Sequence, residues 1–154
     1  MKLLLIILAL TSACHARIGD TLEQCAQRYG KVTGRAKVSE HLPPQHIFAW
    51  DGIRVAIYLG DDGKCMHITY TANGDAPLSK DQVREFLALN RGVGTWKPRK
   101  PQAKKITDWE NKKRGLHAHF SEKSAQGSNV SISSQDFRTL IRDLDWEIRH
   151  AKKK

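Results

Sequence analysis

Residues 47–59 read Ile47-Phe48-Ala49-Trp50-Asp51-Gly52-Ile53-Arg54-Val55-Ala56-Ile57-Tyr58-Leu59, two strand-like runs on either side of an Asp-Gly pair. Asp-Gly suits a two-residue hairpin turn because both central residues need positive φ. Such a loop fixes the register: Trp50 lies opposite Ile53 and Phe48 opposite Val55, so these four share a face that Ile57 and Leu59 extend. That face is the expected core. The other carries Ile47, Ala49, Arg54, Ala56 and Tyr58 and is expected to stay partly open.

Gly60-Asp61-Asp62-Gly63 turns the chain into a third strand, in which Met66, Ile68 and Tyr70 alternate with Cys65, His67 and Thr69. Strict alternation points Cys65 away from the core. Upstream, Gly19-Asp20-Thr21-Leu22-Glu23 places a carboxylate three residues after a capping residue, so a short helix is expected from about Thr21 to Tyr29. Leu22, Cys25, Ala26 and Tyr29 form its apolar stripe, which turns Cys25 inward, and Gly30 is placed to end it. Residues 31–45, with Pro43-Pro44, read as a connecting segment with room for one edge strand. Downstream, Leu78-Ser79-Lys80-Asp81 caps a helix to about Asn90 with Val83, Phe86, Leu87 and Asn90 at helical spacing, and Gly92 and Gly94 close it.

Residues 97–105 hold five cations, two prolines and no acid, and segment 96–105 reads as a basic linker. Beyond it the pattern returns. Trp109 ends a short strand, Leu116, Ala118 and Phe120 alternate with His117 and His119, and Val130 and Ile132 alternate with Ser131 and Ser133. A helix follows with Phe137, Leu140, Ile141 and Leu144. The expected fold is α+β: antiparallel β-meanders with helices on one face, built by tandem duplication of a β-β-β-α unit. The units are 17–95 and 106–150, and 151–154 is a basic tail.

The chain has 154 residues, 40 % hydrophobic and 27 % charged, enough apolar content for a core and too few residues for a large two-domain enzyme. Lys2 followed by the apolar run Leu3–Leu10 and small residues reads as a secretory signal peptide over 1–16, too short for the roughly 20 residues of a membrane span. Cleavage after Ala16 is favoured; Thr11-Ser12-Ala13-Cys14 is a loose lipobox whose usual Leu is replaced by Thr11, so lipidation of Cys14 is the lesser alternative. The expected location is therefore periplasmic or extracellular. Of 26 basic and 16 acidic residues, the cleaved chain keeps 25 and 16, a net +9, together with two cysteines. An even count in an oxidising compartment favours a Cys25–Cys65 disulfide over two reduced thiols. The strand-face argument opposes it, unless Cys65 sits at a strand end or an edge.

His117 and His119 project to one side of a strand, and His67 takes the equivalent face of the first unit. If the strands neighbour one another, the three imidazoles could hold zinc, although those strands carry no carboxylate to orient them. No serine sits in a Gly-x-Ser-x-Gly elbow, the Gly-rich pieces lack a phosphate-loop context, and no cofactor is expected. Charge is the remaining signal. Lys97, Arg99, Lys100, Lys104, Lys105, Lys112, Lys113 and Arg114 fall within eighteen residues whose acids are Asp108 and Glu110. Such a run is either a solvated face or a patch for polyanions. For an exported chain, anionic lipid headgroups, lipopolysaccharide, acidic glycans or an acidic protein are better candidates than nucleic acid.

Ile18-Gly19-Asp20-Thr21-Leu22-Glu23-Gln24-Cys25 through Tyr29-Gly30-Lys31, with Gly63-Lys64-Cys65 and Ile68-Thr69-Tyr70, resembles a group of small exported bacterial proteins of unassigned function. More distantly, a helix opened by Gly-x-Thr, closed by Gly and followed by a meander is similar to outer-membrane assembly lipoproteins of the SmpA/OmlA type and to tandem-repeat β-lactamase-inhibitor proteins. That resemblance implies a binding module presenting a sheet face, and it carries no catalytic residues. The expected function is non-enzymatic recognition of a protein or an anionic envelope component. Arg54, Tyr58, the histidine face and the basic segment are its surfaces. The alternative is a metal-dependent hydrolase using His67, His117 and His119.

Overall fold

The computed structural model describes residues 17–74, 76–100, 106–124 and 127–151. Helix α1 (Leu22–Tyr29) precedes strands β1 (Gly34–Ala36), β2 (Gln45–Trp50), β3 (Ile53–Leu59) and β4 (Cys65–Ala72). Helix α2 (Lys80–Arg91), β5 (Lys97–Pro98), β6 (Ile106–Asn111), a 3-10 turn at Lys112–Arg114, β7 (Leu116–Ser121), β8 (Asn129–Ser133) and α3 (Gln135–Ala151) follow. All eight strands form one antiparallel sheet in the order β1-β2-β3-β4-β8-β7-β6-β5. The fold is α+β. Among the described residues no helix is long and apolar enough to cross a membrane.

The decisive turn forms as its sequence requires. Asp51 and Gly52 both have positive φ (46° and 72°), and Trp50 pairs with Ile53 and Phe48 with Val55. Phe48, Val55, Ile57, Ile68, Tyr70, Ala118, Val130 and Ile132 are fully buried and make one continuous core face across both meanders. Two helices cover it. α1 brings Tyr29 against Phe48, Trp50 and Tyr70, and α2 stacks Phe86 on Tyr70 with ring centroids 4.2 Å apart. Both helices are closed at their N-termini by capping boxes, Thr21 with Gln24 and Ser79 with Gln82. In α1 the cap is therefore one residue later than the Asp20 and Glu23 spacing suggests.

A buried polar node ties these layers together. Asn90, fully enclosed at the end of α2, accepts the Ile18 amide through Oδ1 (3.3 Å) and donates through Nδ2 to the Tyr70 hydroxyl (2.9 Å) and the Phe86 carbonyl (3.0 Å). The Tyr70 hydroxyl also meets that of Tyr29 at 2.8 Å. The last carbonyls of a helix lack intrahelical partners. Here Asn111 Nδ2 serves Arg91, and Trp96 Nε1 donates to the Leu87 carbonyl one turn earlier. A Cβ at Gly94, whose φ is +124°, would lie 2.5 Å from the Asn111 amide oxygen, so this packing needs glycine.

Three expectations are corrected. First, the β3–β4 pairing shifts between Tyr58 and Leu59: Tyr58 pairs with His67 and Leu59 with Cys65, leaving Met66 as an extra residue. That bulge rotates Cys65 onto the core face at the start of its strand, where it is buried like Cys25, and both are free thiols. Second, α3 meets the opposite face, with Phe137 stacked on His67 at 4.3 Å and lying 5.3 Å from Tyr58. Tyr58 is only 4 % exposed in consequence. A two-fold axis normal to the sheet between β4 and β8 would superimpose the meanders and keep both following helices on one face, so the duplication is not confirmed. Third, the start of the expected basic linker is an edge strand, with Lys97 opposite Glu110 and Pro98 opposite Trp109.

Replacing Asn90 by Ala strands the Ile18 amide, removes one of the two partners of the Tyr70 hydroxyl and leaves a cavity, and is expected to lower the unfolding free energy by about 3 kcal/mol. Trp146→Ala, on the exposed outer part of α3, should change it by less than about 0.5 kcal/mol. Denaturant titration measures both; equal losses would contradict the role given to the node.

Candidate functional site

The face opposite the core carries polar side chains in two parallel rows across β4, β8, β7 and β6. One row is His67, Ser133, His117 and Glu110; the other is Thr69, Ser131, His119 and Asp108. Alternation creates these rows: each member neighbours a core residue such as Ile68, Ile132, Ala118 or Trp109 along its own strand. All three expected histidines therefore lie on one face.

They do not converge. His67 Nδ1 contacts the Ser133 hydroxyl and Nε2 the Thr69 hydroxyl, each at 2.9 Å, and Thr69 continues to Ser131 at 3.2 Å. Both nitrogens are thus engaged beneath Phe137, two strands from His117. His117 and His119 gather instead around Asp108, whose Oδ1 lies 2.8 Å from His119 Nδ1 and 3.8 Å from His117 Nε2. Asp108 is buried, its side chain 6 % exposed, while that of His119 is 39 % exposed. Among the described residues no group of three His, Cys, Asp or Glu side chains has a geometry to hold a metal ion.

This arrangement orients rather than reacts. The Asp108 carboxylate accepts from His119 Nδ1–H and fixes the ring's orientation, turning Nε2 away from it. Ser131 faces His119 across the strand pair, yet its hydroxyl bonds to Thr69, so no serine–histidine–aspartate relay is closed. Burial lowers the His117 pKa; Asp108 opposes that shift, while Arg138, Arg99 and His119 reinforce it. Asp108 is the member that strand-by-strand reading missed. Its signal lies in Thr107-Asp108-Trp109-Glu110, where two acids flank a core-facing Trp on the strand beside the histidines.

The basic residues occupy the β5 edge and the adjoining 3-10 turn. Lys97, Arg99, Lys100, Lys112 and Lys113 are exposed, and none forms an ion pair among the described residues. The Arg99 amide bonds to the Asp108 carbonyl at 2.9 Å, which sets this edge directly beside the histidine rows. Arg114 is spent on structure: its Nη2 donates to the Ile18 carbonyl at 2.9 Å. Arg54 is half-buried on β3, four strand positions from β6 and hence about 19 Å away. Lys104, Lys105 and Cys14 lie outside the described residues.

Comparison with family models, with curated proteins and with solved structures returned no match to this chain. The resemblance noted for residues 18–31 and 63–70 rests on those residues alone.

Burial pushes the His67 pKa down to about 4 from an ordinary 6.5. The folded chain therefore stays neutral at this position while the unfolded chain takes up a proton below about pH 6.5. Stability should fall as pH drops from 6.5 to 4, by up to about 3 kcal/mol from this group. In His67→Gln the fall over that window should be shallower when unfolding is followed against pH. An unchanged slope would contradict the assignment.

Proposed function

We propose that the chain is an exported, non-enzymatic binding protein that engages an anionic component of the cell envelope through the cationic edge of its sheet. The ligand chemistry is phosphate or carboxylate repeated along a surface or a polymer. One observation carries the reading: five exposed cations lie along β5, the two residues after it and the neighbouring turn, and none forms an ion pair among the described residues, although Glu110 stands opposite Lys97 in the register. Some cations elsewhere are paired, as Arg28 is with Asp20, Arg84 with Asp81 and Arg149 with Asp145, while exposed Lys31, Arg35, Lys37, Lys80 and Arg91, away from this edge, have no ion pair among the described residues either. A cluster with a cationic excess on a chain of formal charge +10 raises the local concentration of polyanions and speeds their encounter. The apolar leader over 1–16 supports export, which puts envelope polymers and headgroups within reach and nucleic acid out of it.

His119, half exposed and held by Asp108, is placed to meet a ligand that extends from the cations onto the sheet face.

Binding of the full chain is measured to phosphatidylcholine vesicles with and without phosphatidylglycerol, and to a lipid-free acidic polysaccharide. Affinity for one anionic probe should fall steeply between about 50 and 300 mM salt. The variant K97Q/R99Q/K100Q/K112Q/K113Q should bind at least about tenfold more weakly, whereas Lys64→Gln should not. Because all variants share the same leader, differences between them report the edge. Salt-independent binding, or an unchanged five-fold variant, would overturn the reading; the preferred probe tells headgroup from polymer.

A further inference from the structure

We propose that Cys25 and Cys65 form an intramolecular redox pair that closes to a disulfide when a small-molecule or protein disulfide is supplied. The proposal is independent of the cationic edge. It rests on how three local features bring two buried sulfurs, 40 positions apart in sequence, close together.

The first is the join between the amino-terminal segment and β4. Gly19 donates to the Cys65 carbonyl and Cys65 to the Asp20 carbonyl, each at 2.7 Å, and Thr21 bridges to Lys64. The second is the helix start at Leu22. Side chains on a helix tilt towards its N-terminus, so Cys25, one turn in, leans back over the residues bonded to Cys65. The third is the bulge at Met66, which turns Cys65 inward.

The two thiols are near enough to perturb each other's ionisation, and Cys65 Sγ reaches the His67 carbonyl at 3.4 Å. Their proximity lowers the pKa of Cys25 and raises that of Cys65, to which burial adds, giving an unequal pair. A cleft of about 760 Å³, lined by Gly60, Asp62, Lys64 and Arg114 among others, reaches Cys65, while Cys25 lies behind it.

The chemistry balances with the donor disulfide as oxidant. Cys25, the more acidic thiol, ionises first and takes the proton of Cys65 as Cys65, the sulfur the cleft reaches, attacks one donor sulfur, forming a mixed disulfide and expelling one thiolate. Cys25, deprotonated in turn, attacks the Cys65 sulfur and expels the second. Two protein thiols and one donor disulfide become one protein disulfide and two donor thiols. The bond would tie α1 to β4 and close a loop of about 40 residues, which restricts the unfolded chain.

The full chain is refolded from denaturant in oxidised or reduced glutathione, alkylated and mapped by mass spectrometry. The expected oxidised product carries a peptide joining Cys25 to Cys65, a mass lower by about 2 Da, and an alkylated Cys14. Its melting temperature should exceed that of the reduced chain by about 10 °C. In Cys65→Ser this reductant-sensitive difference should vanish. Alkylation of all three cysteines after oxidative refolding, or linkage through Cys14, would overturn the proposal.

Discussion

Backbone pairing of β4 with β8 holds the two meanders in one sheet, and every other layer is arranged around that seam. Five residue pairs make it, from His67 opposite Ser133 to Thr71 opposite Asn129. Its two faces have different chemistry. Ile68, Tyr70, Val130 and Ile132 are fully buried on one side, where α1 and α2 gather, Asn90 donates to the Tyr70 hydroxyl and that hydroxyl meets Tyr29. His67, Thr69, Ser131 and Ser133 join through their own hydrogen bonds on the other, where the first turn of α3 closes over His67. A sheet sealed over both faces of its centre keeps for recognition what lies away from that centre. Here that is the far meander and its edge.

Much of this plan is written locally. Asp51-Gly52 dictates its turn through backbone sterics, and the turn dictates the register, so the core half of β2 and β3 is legible residue by residue. Helix limits follow from caps, which explains why α2 stands close to its expected place. The bulge at Met66 is different: a side-chain period of two looks the same before and after one inserted residue, and only pairing to Leu59 shows which side of the slip Cys65 falls on. The placement of α3 was equally hidden. An amphipathic helix declares that it has an apolar stripe, and Phe137 finds its partners in Tyr58 and His67, amphipathic rings that suit either a wet or a dry face.

The candidate site was legible as a set of residues and misleading as a set of contacts. Outward histidines follow from alternation alone, but their grouping depends on strand order, which places β8 between His67 and His117. Asp108 then draws His117 and His119 together on the far side. The cations beside them have a second consequence. β5 is a two-residue edge strand carrying a Lys and a Pro, and an edge so short and charged resists pairing with a strand of another chain. The same residues proposed to meet an anion thus discourage edge-to-edge aggregation.

Hydrogen–deuterium exchange along the full chain tests the seam most directly. If β4 and β8 form the centre of one cooperative sheet, the amides of residues 67–71 and 129–133 should be among the slowest to exchange and should lose protection together as denaturant is added. Loss of protection in 106–133 at markedly lower denaturant than in 45–72 would mean two meanders folding as separate units, and the single two-faced sheet described here would be wrong.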